Sequence, residues 1–239
     1  MSIFRALGEA TQIPWVVWSA LFSGALLLGT GLLVKSRLAA AGGGVLPDEG
    51  FSIRNAIEML TEMLAGLAEQ NMGPNWRTYF PLIGTLFLFI LISNLIGLVP
   101  GIDGSTSSAD TTWAWAIISF GVHQYVGIRE HGWSYLNHFL GPSLYDLEVG
   151  GQTYHLRLMA PLYAPIELLS HLSRVFTLAV RLLANMFADH TVVAVWITLV
   201  PVAIPAVFMG LGVLVAFLQA YVFAMLSMIY IGLALEEAH

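Results

Sequence analysis

Side chains able to hold a fixed charge or to pass a proton lie in an otherwise apolar stretch, Ile166 to Val200. The middle of this stretch carries Arg181, whose guanidinium stays charged at every physiological pH. At the centre of a membrane helix such a charge costs about 2.5 to 3.5 kcal/mol on an insertion scale. Arg181 therefore requires an anionic partner, or its head group must reach the membrane surface along its aliphatic stem. The mostly apolar residues on both sides favour the first explanation.

The other polar residues of this stretch take two sides of the predicted helix. At about 100° of rotation per residue, four polar side chains fall within about 40° of one line: Glu167, Arg174, Arg181 and Asn185. His190 projects from the opposite side. Because a histidine exchanges protons near neutral pH, His190 could pass protons, although a hydrogen bond to a neighbouring helix is the alternative.

The stretch contains no Gly or Pro between Pro165 and Pro201, which predicts one long helix over residues 162–200. The run from Ile166 to Val200 alone would be about 52 Å long at about 1.5 Å per residue. The hydrocarbon core of a bilayer is only about 30 Å thick. The helix must therefore tilt strongly or extend beyond the hydrocarbon.

Several motifs of the chain are similar to those of subunit a of the F-type ATP synthase, the membrane stator subunit beside the rotating c-ring. The motifs read PIELLSHLSRVFTLAVRLLANMFADH in the long stretch, FLQAYVFAMLSMIYIGLALEEAH in the last helix, SNLIGLVPG from Ser93 and GIREHGWSYLNHFLGP from Gly127. The resemblance depends on an Arg with Asn four residues later and Glu fourteen residues earlier, and on Gln-Ala-aromatic in the last helix. The first fifty or so residues are generic.

The resemblance implies a role for each of these residues. Arg181 would be the essential stator charge that faces the c-ring carboxylate. Glu167 would lie in the inner half-channel, and Asn185, His190 and Gln219 would lie in or near the outer one. The implied partners are a c-ring of small two-helix subunits and the peripheral-stalk b subunits. Proton transport would drive ATP synthesis on other subunits, with no cofactor or metal in this chain.

Two residues depart from the family pattern. Related chains usually have a carboxylate or a histidine seven residues before the Gln of the last helix, where this chain has Gly212. They commonly have a glycine at the position before His190, where this chain has Asp189. We hypothesise that the outer carboxylate has moved onto the long helix as Asp189. Alternatively, Asp189 caps a local kink or bonds Thr191 or a neighbouring helix.

The composition, with 57% hydrophobic and 10% charged residues, excludes an ordinary soluble domain, in which about a quarter of residues are charged. We predict an all-α polytopic membrane protein that forms one membrane domain over residues 1–239. The predicted spans are 13–34, 79–99, 113–128, 162–200 and 206–235, with an in-plane amphipathic helix at 52–72 and a cytoplasmic β-hairpin insertion at 143–159. The last two spans are expected to form a tilted hairpin against the c-ring.

The distribution of charge predicts the orientation. In this topology seven of the nine basic residues lie on the inner side, so the N-terminus should lie outside and the C-terminus in the cytoplasm, in an energy-transducing membrane such as the bacterial plasma (inner) membrane. The net charge is -6, and the nine basic residues are distributed by topology without forming a patch. Nucleic-acid binding is therefore not expected. Cysteine is absent from the sequence, which excludes disulfides and thiolate metal sites.

Other interpretations stay open at this point. His123 and Gln124 are polar at membrane depth, and either an interhelical hydrogen bond or a water-lined path would explain them. Asn94 is buried toward the far end of its span, and we expect Asn94 and His123 to belong to the proton pathway. Residues 13–34 could be a signal peptide, although the apolar run is too long for one. The alternative function is a secondary transporter or ion channel subunit, but a transporter should show repeats with broken helices. A membrane enzyme is disfavoured because His171 and His190 are too far apart to share a site.

Overall fold

The computed structural model describes residues 2–40, 52–99, 101–132, 145–149, 152–156, 160–200 and 203–236. Its helices are α1 (Ile3–Thr11), α2 (Trp15–Ala40), α3 (Ile53–Met72), α4 (Trp76–Gly97), α5 (Ala109–His131), α6 (Ala160–Leu199) and α7 (Ala203–Glu236). Short 3-10 turns at Gly73–Asn75 and Ser105–Ser107 precede α4 and α5. The chain is thus helical across nearly all of its described length.

The longest helix is α6, which runs unbroken for 40 residues and includes Pro165. The proline ring removes only one backbone hydrogen bond, to a carbonyl in the first turn of the helix, so the helix continues through it. Its length is about 60 Å, about twice the hydrocarbon thickness of a bilayer. The helix α7 likewise begins before Pro205, which occupies its first turn, where a proline is tolerated.

Three side-chain pairs fix α6 and α7 as antiparallel neighbours. Arg174 lies over the ring of Tyr230 at 5.0 Å, Asn185 bonds Gln219, and Trp196 stacks on Phe208 at 5.9 Å. From one pair to the next, the α6 residue lies eleven positions later in the chain and the α7 residue eleven positions earlier. Because eleven residues make about three turns, all three pairs lie on the same face of each helix.

One hydrophobic core joins α3, α4, α5, α6 and α7. Its largest fully buried members include Ile83, Leu86, Phe87, Ile90, Val126, Leu182, Phe223 and Met228. Small residues on α7 allow close helix approach, and Ala220, Ala224 and Ala234 are completely buried. In a membrane, where apolar side chains gain little by leaving lipid, such close packing is a main source of helix association.

Four helical segments in the described residues are long and apolar enough to cross a membrane: Trp15–Arg37, Ile53–Gly97, Leu162–Leu199 and Ala203–Leu235. The second of these combines α3, the turn and α4. Helix α5 is not apolar enough to be counted with them, because it has His123 and Gln124 in its interior and charged residues at both ends. The predicted count of five spans, with α5 as the fifth, therefore stays a prediction.

The N-terminal helix α1 was missed by the sequence analysis. Nine residues are too few to form a stable helix alone, and contacts with the rest of the chain hold this one. Ser2 caps its start, Ile3 donates its N–H to the carbonyl of Gly101, and Arg5 and Ser2 both bond Asp103. The N-terminal helix is thus held by contacts between residues about 100 positions apart.

A two-stranded antiparallel sheet precedes α6. Its strands are β1 (Tyr145–Val149) and β2 (Gln152–Leu156), and their register places Val149 opposite Gln152. This register is compatible with the two-residue connection expected at residues 150–151, which lie outside the described residues. The remainder of the predicted 143–159 insertion is likewise outside them, and its exposure to the cytoplasm stays a prediction.

The contact between Gly232 and the end of α3 generates a testable prediction. A Cβ at Gly232 would overlap the carbonyl oxygen of Asn71, a backbone atom that cannot rotate away. Gly232→Ala should therefore destabilise the folded subunit by about 1–3 kcal/mol through overpacking. Thermal unfolding or aggregation in detergent measures the effect.

The matched control is Gly210→Ala on the same helix. A Cβ at Gly210 meets open space, so this variant should be neutral or slightly more stable, by up to about 1 kcal/mol from helix propensity. Equal stability of the two variants would contradict the close packing of α3 on α7.

Candidate proton pathway

The core packing of α6 determines the direction of Arg181. Five apolar residues at helical spacing face the core and are buried: Val175, Leu178, Ala179, Leu182 and Met186. Arg181 lies off this buried stripe and is exposed at the surface of the chain, midway along α6. Val180 and Phe187, at other positions round the helix, are also exposed. The guanidinium is therefore presented away from the core.

No carboxylate neutralises Arg181 within the described part of the chain. The ion pairs found there join Arg5 to Asp103, Arg54 to Glu58 and His171 to Glu167. An uncompensated charge in hydrocarbon is costly. Any counter-charge at the depth of Arg181 must therefore be supplied from outside these residues.

One turn beyond Arg181, Asn185 and Gln219 join α6 to α7. The Asn185 amide nitrogen donates to the Gln219 side-chain oxygen at 2.7 Å, and Gln219 is buried. Asn94 on α4 lies near this pair. Its amide oxygen accepts a 2.7 Å hydrogen bond from the Thr106 hydroxyl. Its amide nitrogen lies 3.5 Å from the carbonyl oxygen of Ala216, which is about one turn before Gln219 on α7. The structure thus brings these three predicted residues to one region.

Farther along α6, Asp189 and His190 line a cavity of about 290 Å³. Other walls come from the end of α4 and from the loop around Asp103. The cavity has room for several water molecules. The His190 ring nitrogen Nε2 lies 2.7 Å from the carbonyl oxygen of Gly97. Because a carbonyl only accepts, Nε2 carries the hydrogen and Nδ1 is left to accept a proton.

The sequence analysis left two simpler roles for Asp189, a cap at a local kink or a hydrogen bond to Thr191 or a neighbouring helix. Helix α6 continues past Asp189 without a break, so Asp189 does not cap a helix end. The hydroxyl of Thr191 donates to the carbonyl of Phe187 at 2.7 Å, the back-bond expected of a threonine inside a helix. Asp189 shares its cavity instead with His190 and Asp103.

The space beside Gly212 is filled by a neighbour. Gly212 is buried, and a Cβ there would lie 2.5 Å from Cδ2 of Leu98. Leu98 also lines the cavity of Asp189 and His190. An apolar side chain directly after α4 therefore occupies the space that a larger residue at position 212 would need.

The N-terminal half of α6 carries a second polar cluster. Glu167 Oε1 lies 3.3 Å from His171 Nε2, and His171 Nδ1 lies 3.4 Å from the Gln124 amide nitrogen. His123 Nδ1 lies 2.6 Å from the carbonyl oxygen of Tyr230. His123, which the sequence analysis offered as a proton-pathway residue, thus lies next to the Glu167 cluster, with its ring 5.7 Å from that of His171.

The two clusters lie at opposite ends of α6, with Arg181 between them. Glu167 is fourteen residues from Arg181, about 21 Å along the axis, and Asp189 is eight residues away in the other direction, about 12 Å. The described residues contain no group of three or more side chains suited to a metal ion. The arrangement offers titratable groups at two ends and a fixed charge in the middle.

Sequence reasoning missed two members of these clusters. His171 was considered only as a partner for His190, although its position four residues after Glu167 places the two on one helix face. Asp103 had no signal beyond being acidic in a loop without basic residues. It acquires significance only because the fold joins it to Arg5 at 2.7 Å and to the cavity of Asp189.

Comparisons with known proteins give a consistent result. Residues 17–232 match the family model described as ATP synthase A chain. The chain is 44% identical over 214 residues to ATP synthase subunit a 1 of Syntrophotalea carbinolica, covering 90% of this chain and 82% of that protein. It is 38% identical over 239 residues to ATP synthase subunit a of Geotalea uraniireducens, covering 100% and 97%. The chain therefore belongs to the ATP synthase A chain family.

Proposed function

We propose that this chain is the proton-translocating stator subunit of the membrane sector of an F-type ATP synthase. The observation that carries the proposal is Arg181, a permanent charge exposed in the middle of a 40-residue apolar helix without a carboxylate partner in the described residues. Relatives named ATP synthase subunit a, at 37 to 44% identity, support the same function.

The partner of Arg181 is a carboxylate on a rotating c-ring. A positive charge within a few ångströms favours the ionised form of a carboxylate. Each rotor carboxylate that approaches Arg181 therefore gives up its proton, and takes up another after it has passed. The same charge repels protons and prevents a direct leak between the two ends of α6.

Two half-channels supply and remove these protons. The outer one uses the cavity of Asp189 and His190, and continues to Asn185 and Gln219 near the rotor. Asn94 forms part of its wall. The inner half-channel uses Glu167, with His123 nearby. The two paths do not meet except through the rotor, so proton flow must turn it.

The driving force comes from the membrane potential. Moving one elementary charge across the membrane provides about 2.3 kcal/mol per 100 mV, which rotation transmits to the subunits that make ATP. Peripheral-stalk b subunits hold this chain against the torque. In this proposal the chain lies in a bacterial plasma membrane with its N-terminus outside and its C-terminus in the cytoplasm. It has five spans, and α6 and α7 form a tilted hairpin beside the c-ring.

The first test removes the stator charge. Arg181→Ala in the whole complex should abolish ATP-driven proton pumping into inverted membrane vesicles, because nothing then forces the rotor carboxylate to release its proton. Pumping is followed with a pH-sensitive dye, and assembly by co-purification of the c-ring. Arg129→Ala, which removes an exposed charge elsewhere, is the control and should pump normally. Normal pumping in an assembled Arg181→Ala complex would refute the proposal.

The second test concerns the relocated carboxylate. Asp189→Asn keeps the side-chain shape but cannot carry a proton as a carboxyl group does, so proton flux should fall about tenfold, a modest loss for removing a proton-transferring group. Asp110→Asn removes an exposed carboxylate from the start of α5 and should have no effect. Unchanged flux in Asp189→Asn would show that the outer carboxylate has not moved to this position.

A rescue variant sharpens the second test. Gly212→Glu restores the family's usual carboxylate, but its side chain needs the space of Leu98. Asp189→Asn is therefore combined with Gly212→Glu and Leu98→Ala. Recovery of flux in this triple variant, compared with Asp189→Asn plus Leu98→Ala, supports relocation.

A further inference from the structure

Two buried histidines lie side by side between α5, α6 and α7. His171 is 2% exposed and His123 is 4% exposed, and their ring centroids are 5.7 Å apart. Glu167, one turn before His171, is 21% exposed at its side chain. A titratable group that reaches the surface is thus followed by two that are enclosed in the protein.

The hydrogen-bond partners define which nitrogen of His123 carries its hydrogen. The 2.6 Å contact of His123 Nδ1 is with the carbonyl oxygen of Tyr230. Because that oxygen only accepts, Nδ1 must donate in both the neutral and the charged ring. A proton gained by His123 therefore goes to Nε2, on the side of the ring away from α7.

His171 can adopt either neutral form, depending on Gln124. With the Gln124 amide nitrogen facing it at 3.4 Å, His171 Nδ1 accepts and Nε2 carries the hydrogen toward Glu167. If the Gln124 side-chain amide rotates by about 180°, its oxygen faces His171 Nδ1 in place of its nitrogen, because the two ends of an amide group have nearly the same shape. Nδ1 then carries the hydrogen, and Nε2, 3.3 Å from Glu167 Oε1, is the nitrogen that accepts a proton from Glu167.

Between the histidines and the level of Arg181, the helices enclose a small cavity and one polar pair. The cavity, of about 10 Å³, presents mostly apolar surface, and Ser119, His123 and Arg174 are among its polar lining residues. Beyond it, the hydroxyls of Ser119 and Ser227 bond each other at 2.7 Å. Polar groups of this kind are costly inside a membrane protein unless they are paired or functional.

Charged and polar groups face the histidine pair from three helices. Glu167 and Arg174 face it from α6, Tyr230 from α7, and Gln124 from α5. The carboxylate of Glu167 is thus the acidic neighbour of His171, and the guanidinium of Arg174 lines the same small cavity as His123.

We propose that His171, supported by His123, is a proton store of the inner half-channel that exchanges with Glu167. In the exchange, the O–H bond of protonated Glu167 breaks and an N–H bond forms at Nε2 of His171, which leaves a carboxylate beside an imidazolium. The reverse step reloads Glu167 when protons are scarce on the inner side. This inference rests on the proposed function.

The test measures the pH dependence of pumping in the whole complex. In inverted vesicles the inner side faces the medium, so ATP-driven pumping draws protons through the inner half-channel. His171→Gln should reduce pumping about threefold at a medium pH of about 8.5 and leave it nearly unchanged at about pH 6, since these values bracket histidine titration. His131→Gln, on α5 and bonded to the carbonyl of Ala234, is the control and should match the parent complex.

Two further variants separate a proton store from a structural role. Gln124→Met keeps the size of the side chain but cannot select the His171 tautomer, and should show the same alkaline loss without altering a histidine. Adding His171→Gln to Glu167→Gln should cause no further loss, because the store acts through Glu167. A His171→Gln or Gln124→Met profile equal to the parent's, or lowered equally at every pH, overturns the inference. ATP hydrolysis and c-ring co-purification are measured alongside.

The outcome is distinguishable from failure of the proposed function. If Arg181→Ala pumps normally, the stator function itself is wrong. If Arg181→Ala is inactive while the pH profile of His171→Gln matches that of the parent, the stator function stands and only the proton store is refuted.

Discussion

The organisation of this protein depends on one electrostatic constraint, a guanidinium held at the surface of a long apolar helix. Burial of the stripe from Val175 to Met186 fixes the rotation of α6 about its axis, and that rotation turns Arg181 away from the core. None of the ion pairs among the described residues includes Arg181, and in the proposed function a second chain brings the anion to it. The packing of the core thus determines which way the charge faces.

The two parts of α6 use similar residue types in different surroundings. In the C-terminal part, Asp189 and His190 line a cavity with room for water. In the N-terminal part, His171 is enclosed with His123 among aromatic rings, and the ring centroid of Phe120 lies 6.2 Å from that of His171. In the proposed function, protons therefore move through solvent at one end of α6 and are held by side chains at the other.

Close packing restricts which residue can stand at position 212. With Gly212 on α7, the Leu98 side chain can occupy the space beside it, and Leu98 also lines the cavity of Asp189 and His190. A carboxylate at position 212 would compete with Leu98 for that space. In the proposed function, the carboxylate beside this cavity is instead that of Asp189 on α6.

The sequence by itself determined the membrane class, the long uninterrupted helix, the family and Arg181, because hydropathy, helix period and local motifs are properties of neighbouring residues. It did not predict α1, which is too short to be stable without Asp103, or the approach of His171 to Gln124 on α5. The partner of His190 also depended on the fold, since the carbonyl of Gly97 is 93 residues away. These contacts join residues far apart in the chain, and only the packing of helices against one another decides which of them meet.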